Sequence, residues 1–244
     1  MISALIFAGG SGRRMQSEDI PKQFLEIEGK SIIIRTMEHF EKHPLVDKIV
    51  VVCKEDWIGE LKKQIKHFKI SKVESIVPGG NTGYESIHNG VLKVAEYSKP
   101  EDLILICDGV RPMLSEELID NCIKYTKQYQ SAVPVTPSID SLLFSEDGET
   151  CGKSYKRSSM YVTQAPQGYT MERILWAHGE AEARGIDPVS SSELFIELGE
   201  EVHLYLGERN NIKVTTPEDL ETLRAYFYYQ HYKTFAKEAM KYGI

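Results

Sequence analysis

Up to Val135 the chain alternates short apolar runs with amphipathic stretches. Ile2–Ala8 (ISALIFA), Lys48–Cys53 (KIVVVC) and Leu103–Cys107 (LILIC) are almost unbroken apolar runs, too short for helices and rich in β-branched residues. They predict strands buried on both faces, with shorter strands over Val73–Val77 and Ser131–Val135. Between them a period near 3.6 predicts helices over Ser31–Phe40 (Ile32, Ile33, Met37 and Phe40 on one face), Trp57–Phe68 (Leu61, Ile65, Phe68), Glu85–Glu96 and Glu116–Gln128. Strands without polar alternation, separated by helices, imply a parallel sheet covered on both sides by right-handed crossovers. The expectation is an α/β fold with a Rossmann-like doubly wound, mostly parallel sheet.

One stretch breaks this rhythm. Residues 138–163 are largely polar, and Asp147-Gly148 reads as a turn between Ser141–Phe144 and Ser159–Val162. The pattern predicts a projecting β-arm, and a lone hairpin is marginal in water, so a partner subunit is the expected support. After it the pattern predicts a helix over Met171–Ala183, a short helix near Glu193–Leu198 and a strand over Glu201–Leu206. A long C-terminal helix then opens at Pro217, with Thr216 as N-cap and acids at its positive end. Tyr226, Phe227, Tyr228, Tyr229, Tyr232 and Phe235 are predicted to pack that helix on the sheet or at a subunit contact rather than to stack on bases. No repeat or linker divides the chain, so residues 1–244 read as one domain, with 138–163 as its dimerisation element.

Composition narrows the function. Of 244 residues, 41% are hydrophobic and 27% charged, an ordinary soluble balance. Lys and Arg number 29 against 36 Asp and Glu, a net charge of −7. Such a chain is a poor binder of nucleic acid or anionic membrane, so any basic cluster is local and serves a small anion. No apolar run approaches the roughly 18 residues of a membrane span, and MISALIFAGG lacks the basic flank of a secretory signal. Cys53, Cys107, Cys122 and Cys151 form no C-x-x-C pair and the seven histidines no zinc spacing. Reduced thiols and the cytoplasm are the expectation.

The candidate chemistry begins where the first strand ends. Ala8-Gly-Gly-Ser-Gly-Arg-Arg-Met15 follows it directly, and Lys22 lies a little further on. Glycines let the backbone turn its N–H groups toward a ligand, and cations beside them suit a triphosphate. No Lys-Ser/Thr follows the last glycine, as a P-loop needs, and Met15 stands where a dinucleotide fingerprint needs a third glycine or alanine. Taken alone, the loop also fits a purely structural turn.

Pro21-Lys-Gln-Phe-Leu25, Gly79-Gly-Asn-Thr-Gly-Tyr-Glu-Ser86, Cys107-Asp-Gly-Val-Arg-Pro112, Gln164-Ala-Pro-Gln167 and Asn211-Ile-Lys-Val-Thr-Thr-Pro-Glu-Asp-Leu220 follow in order along the chain. With the first loop, this series resembles sugar-nucleotide pyrophosphorylases. It is closest to the cytidylyltransferase family that contains methylerythritol-phosphate and ribitol-5-phosphate cytidylyltransferases. The resemblance implies a fold of the nucleotide-diphospho-sugar transferase type and a nucleotidyltransferase reaction: CTP and a polyol phosphate give a CDP-polyol and diphosphate. It implies that Arg14, Lys22 and Lys213 are the catalytic cations and that Asp108 holds Mg2+. Nucleotide binding would fall to Ala8, Gly9, Gly10, Gly12, Gly80, Asn81 and Ser86. Arg111, Ser141 and Arg157 would bind the acceptor, and a homodimer would form through the arm. Read without the resemblance, Lys213 is a solvated strand-end lysine, Asp108 a turn aspartate, Arg111 the partner of an acid such as Glu116 or Glu117, and Arg157 a solubilising charge.

Four positions depart from the family pattern: Gly83 replaces an arginine, Ala165 a threonine, Val189-Ser-Ser-Ser192 a Thr-Asp-Asp/Ala segment, and Asn210 or Asn211 an aspartate. The cationic end is retained and the acceptor end has changed. The resemblance therefore favours D-ribitol 5-phosphate, a precursor for wall or capsule polymers. 2-C-methyl-D-erythritol 4-phosphate, of isoprenoid synthesis, is the alternative. A nucleotide-binding module without turnover and a NAD-dependent dehydrogenase are the readings from other classes.

Overall fold

β1 (Ile2–Ala8) is followed by a small hairpin, β2 (Glu26–Ile27) and β3 (Lys30–Ser31), that runs directly into α1 (Ile32–Lys42). Then come β4 (Lys48–Cys53), α2 (Ile58–His67), β5 (Val73–Pro78), α3 (Gly83–Ala95), β6 (Leu103–Asp108), α4 (Glu116–Tyr129) and β7 (Ser131–Pro137). The arm carries β8 (Leu143–Phe144), β9 (Lys153–Ser154) and β10 (Tyr161–Thr163). β11 (Gln167–Thr170), α5 (Met171–Arg184), α6 (Ser191–Glu197), β12 (Leu204–Leu206) and α7 (Pro217–Lys241) complete the chain. This computed structural model describes residues 1–9 and 20–241.

Eight strands form one sheet in the order β10-β7-β11-β6-β1-β4-β5, with β12 beside β7. β6, β1, β4 and β5 are mutually parallel, while β11 runs antiparallel to both β6 and β7. The sheet is thus mostly parallel and Rossmann-like, as the apolar runs predict. β1 sends Ala4, Ile6 and Ala8 to one face and Leu5 to the other. On the first face Ile33, Met37 and Phe40 of α1 and Leu118, Ile119 and Cys122 of α4 close the core. On the second, Ile87, Val91 and Val94 of α3 meet Ile174, Ala177 and Ala181 of α5. A smaller cluster ties Leu220 and Leu223 of α7 to Val110 and Val214. Among the described residues no helix is long and apolar enough to cross a membrane.

The order along the sheet reverses at β1: β4 lies on one side and β6 on the other. In doubly wound sheets the crevice between the carboxyl ends of two such strands is where ligands bind. Here the crevice lies between β1 and β6, whose last residues are Ala8 and Asp108.

Several predicted elements need correction. The arm's hairpin pairs Leu143–Phe144 with Lys153–Ser154, not with Ser159–Val162; Tyr161–Thr163 instead returns to the main sheet against Val135–Pro137. Free backbone on the edge of β7 offers these three residues a full ladder, which the polar arm cannot. The late strand is confined to Leu204–Leu206. On α7, Tyr226 and Phe227 pack on the smaller cluster, whereas Tyr228, Tyr229 and Tyr232 are exposed.

Candidate active site

The carboxylate of Asp108 lies at the end of β6, buried and held from two sides. Its Oδ1 accepts from Lys213 Nζ at 2.6 Å and its Oδ2 from Arg111 Nε at 2.8 Å. Burial pushes the Asp108 carboxyl up, but Arg111 and then Lys213 outweigh it and hold the group below its ordinary value. The site therefore contains an ionised carboxylate and two cations at neutral pH. Arg111 is itself buried and donates through Nη1 to the Asn211 carbonyl at 2.9 Å. Its acidic partner is Asp108, not Glu116 or Glu117. Lys213 is no strand-end residue: it lies in an extended segment without regular structure, about half exposed, next to Val214, whose N–H donates to Val110 at 3.0 Å.

Across the crevice, the end of β1 meets the loop between β5 and α3. Gly9 and Gly79 approach so closely that a Cβ on Gly79 would lie 3.3 Å from the Gly9 Cα, and a Cβ on Gly9 would lie 2.8 Å from Ser86 Oγ. Ser86 Oγ accepts from the Gly80 N–H at 3.0 Å and donates to the Thr82 carbonyl at 2.9 Å. The Asn81 N–H donates to Glu85 at 2.6 Å, and Thr82 caps α3. Ser86 thus acts first as a fastener of this loop. Behind it, Tyr84 stacks on His178 at 5.0 Å, and the Nδ1 atoms of His88 and His178 are 3.1 Å apart. Burial, and then His88, push His178 down to about 3.

Lys22 opens a single 3-10 turn that is docked by its neighbour: Gln23 is buried and donates Nε2 to the Ala8 carbonyl at 2.6 Å. One lone pair of Ala8, a predicted nucleotide contact, is therefore already engaged. Arg14, Gly10 and Gly12 fall outside the described residues.

A cleft of about 630 Å3 is lined by Asp108, Arg111 and Lys213, by Gln164, Ala165 and Gln167, and by Ser190–Ser192, and reaches Phe7 of β1 and Ile87 of α3. The departures from the family pattern at Ala165 and Ser190–Ser192 thus meet in one place. Gln167 joins them: its Oε1 accepts from the Ser192 N–H at 3.1 Å and its Nε2 lies 3.3 Å from Ser192 Oγ. Ser141 and Arg157 are exposed on the arm and do not line this cleft; Arg157 is held to its own arm at the Ile139 carbonyl. Gly83 is the first residue of α3, and a side chain there would meet nothing within 4 Å. Asn210 is exposed, whereas Asn211 is buried and donates Nδ2 to the Ala165 carbonyl at 2.6 Å.

Among the described residues no three His, Cys, Asp or Glu side chains gather as a metal site. Mg2+ usually takes one or two carboxylates and completes its shell with phosphate and water. Asp108 is ionised and lines the cleft, but its two oxygens already accept from Lys213 and Arg111, so as a Mg2+ ligand it would share an oxygen with one of these cations.

Sequence reasoning passed over Gln23 and Gln164 and noted Asn211 only as one of two positions that replace an aspartate, yet all three hold the site together. Each acts through a side-chain amide on a backbone group far away in sequence. Their only signal is their place inside the motifs PKQF, QAPQ and NIK.

A family model described as 2-C-methyl-D-erythritol 4-phosphate cytidylyltransferase (IspD) matches residues 2–230. A ribitol-5-phosphate cytidylyltransferase of Vibrio parahaemolyticus is 40% identical over 223 residues, 91% of this chain and 94% of the relative. A 2-C-methyl-D-erythritol 4-phosphate cytidylyltransferase of Clostridium acetobutylicum is 37% identical over 222 residues, 90% of this chain and 94% of the relative. The crystal structure of 4-diphosphocytidyl-2C-methyl-D-erythritol synthase from Anaerococcus prevotii superposes with a TM-score of 0.79 at 27% identity, covering 93% of this chain and 95% of that one.

Proposed function

The chain belongs to the 2-C-methyl-D-erythritol 4-phosphate cytidylyltransferase (IspD) family and is a cytidylyltransferase; from that premise we propose that it transfers the cytidylyl group of CTP to D-ribitol 5-phosphate. A phosphate oxygen of the acceptor attacks the α-phosphorus of CTP, the α–β phosphoanhydride bond breaks, and diphosphate leaves. The nucleophile is already anionic at neutral pH, so no strong general base is needed. The obstacle is repulsion between anions and the charge that grows on the leaving group, and fixed cations lower it. Lys213, oriented by Asp108, faces the α-phosphate, while Lys22 and Arg14 hold the triphosphate. Arg111 binds the acceptor phosphate. Asp108 is the residue that would hold Mg2+, which supplies further charge neutralisation when bound. Carbonyls of Ala8, Gly9, Gly80 and Asn81 read the exocyclic amine that distinguishes cytosine from uracil, in a loop fastened by Ser86.

The arm brings Ser141 and Arg157 to the acceptor across a homodimer. Ile139, Leu143 and Val162 are exposed on it, as expected of a surface that meets a second copy. Sedimentation of a variant lacking the arm tests this, with a monomer as the expected species and an unchanged dimer as the contrary result.

The choice of acceptor rests on one observation: the cationic end of the cleft keeps the family residues, whereas the wall at Ala165 and Ser190–Ser192 does not. Relatives named for ribitol 5-phosphate, at 40% and 35% identity, support it. The experiment is diphosphate release with CTP, UTP, ATP and GTP against ribitol 5-phosphate, 2-C-methyl-D-erythritol 4-phosphate and glycerol 3-phosphate. CTP with ribitol 5-phosphate is expected to be fastest. A preference for the methylerythritol acceptor would replace the proposal with its nearest alternative, and nucleotide binding without release in any pairing would replace it with a binding module.

A further inference from the structure

The segment that carries Lys213, between β12 and α7, has no regular structure. Its ammonium nevertheless has to be held closely, because a misplacement of about 1 Å can cost on the order of 10²-fold in rate. We propose that Gln164 is the positioning residue that places Lys213, an inference that rests on the reading of Lys213 as a cation for the nucleotide phosphates.

The side-chain amide of Gln164 grips the backbone of Glu208 at both ends. Nε2 donates to the Glu208 carbonyl at 2.8 Å, and Oε1 accepts from the Glu208 N–H at 3.1 Å. Two antiparallel bonds from one rigid amide fix orientation as well as distance. Gln164 is itself anchored: it is buried, and its own N–H donates to the Pro134 carbonyl on β7 at 2.7 Å. The contact leaves no room at the adjoining residue, because a Cβ on Gly207 would lie 2.3 Å from Gln164 Oε1. From Glu208 the order passes along the segment. The Glu208 carbonyl also accepts from the Asn211 N–H at 3.1 Å, and the Asn211 side chain and carbonyl are bound by Ala165 and Arg111. Lys213 follows two residues later, just before the Val214–Val110 bond. None of the hydrogen bonds of Gln164 goes to Asp108, Arg111 or Lys213. Gln164 lines the same cleft as these groups, so the test has to separate an effect passed along the segment from direct contact with a substrate.

The test is a double-mutant cycle in the full chain, using CTP with the acceptor that turns over fastest. Gln164→Met keeps the volume and removes both bonds. It is expected to lower kcat about 10- to 100-fold while moving the acceptor KM less than about twofold. In a Lys213→Met background the same change is expected to cost less than about twofold more. Unchanged kcat, an equal loss in both backgrounds, or a raised acceptor KM with kcat retained would each overturn the proposal. The last result would mean that Gln164 touches the acceptor directly. Gly207→Ala displaces the same amide from the other side and is expected to reproduce the kcat loss; should Gln164→Met unfold, Gly207→Ala decides on the same readouts. Full activity in Lys213→Met alone would overturn the reading of Lys213, whereas a crippled Lys213→Met beside an unimpaired Gln164→Met would overturn the clamp only.

Discussion

The Asp108 cluster and the arm treat their side chains in opposite ways. At the end of β6 a carboxylate and a guanidinium are buried together, and each charge finds its partner within this chain. On the arm, order is local. Asp147 accepts from the N–H groups of Glu149 and Thr150 at 2.9 Å each, the hairpin ladder is two residues long, and Leu143 is 69% exposed. The cluster is complete on its own, because a buried unpaired charge would cost too much to leave standing. The arm is complete only as a turn. Its apolar side chains stay largely exposed, and Lys153 lying over Phe144 and Tyr155 is too little to repay ordering them. One region can be understood from a single chain, and the other points beyond it.

Substitutions can break that contrast. The largest effect is expected from Asp108→Ala, which leaves Arg111 buried without its counter-ion. Denaturant unfolding should show a loss of about 3–5 kcal/mol, and a loss below about 1 kcal/mol would mean that the cluster is more solvated than its burial indicates. Lys22→Ala is expected to leave the unfolding midpoint nearly in place, and Lys213→Met to lower it less than Asp108→Ala does, because Arg111 still pairs the buried carboxylate; both are expected to cut turnover by about 10²–10³, as diphosphate release would measure. A pH series sharpens the comparison by probing a second buried region. The pKa of His178 is depressed in the fold, so below its unfolded value near 6.5 the unfolded chain takes up a proton that the native chain refuses. Stability should therefore fall by about 1–2 kcal/mol between pH 7 and pH 5, and His178→Phe should flatten that part of the curve. Asp108 behaves differently: its lowered value keeps its contribution intact above about pH 4 and loses it only in stronger acid. The smallest effect on the fold is expected from Arg157→Ala on the arm, within about 0.5 kcal/mol of the parent. There the change should appear as a raised acceptor KM, and an unaltered KM would leave Arg157 as a solubilising charge.

What could be read from the sequence was what is written locally. LILIC announces a buried strand, and Asp108 directly after it is marked as a carboxylate at a carboxyl edge. The helices announce themselves by period, and Thr216 with Asp219 marks the start of α7, where the aspartate accepts from Thr215 and Thr216. β11 escaped notice because Gln167–Thr170 is too short and too polar to show a period. Only insertion between β6 and β7 makes it a strand, with Tyr169 fully buried. The hairpin at Ile27-Glu-Gly-Lys30 did leave a trace, since Glu28 and Gly29 adopt φ of 51° and 71°, the turn geometry that glycine favours. The pairing of Arg111 with Asp108 sits three residues apart in plain view, but its choice over Glu116 depends on the path of the chain after β6. The amide clamps of Gln23, Gln164 and Asn211 link residues that local patterns do not connect.

The meeting of Gly9, Gly79 and Gly80 with Ser86 and Glu85 has a practical bearing on redesign. A methyl group at Gly80 would lie 2.3 Å from the Glu85 Cβ and one at Gly9 2.8 Å from Ser86 Oγ, whereas one at Gly79 would lie 3.1 Å from the same hydroxyl. A library built on this loop would therefore lose most of its diversity at Gly80 and Gly9. The room for variation lies at the neighbouring Gly83, where an added side chain encounters nothing within 4 Å.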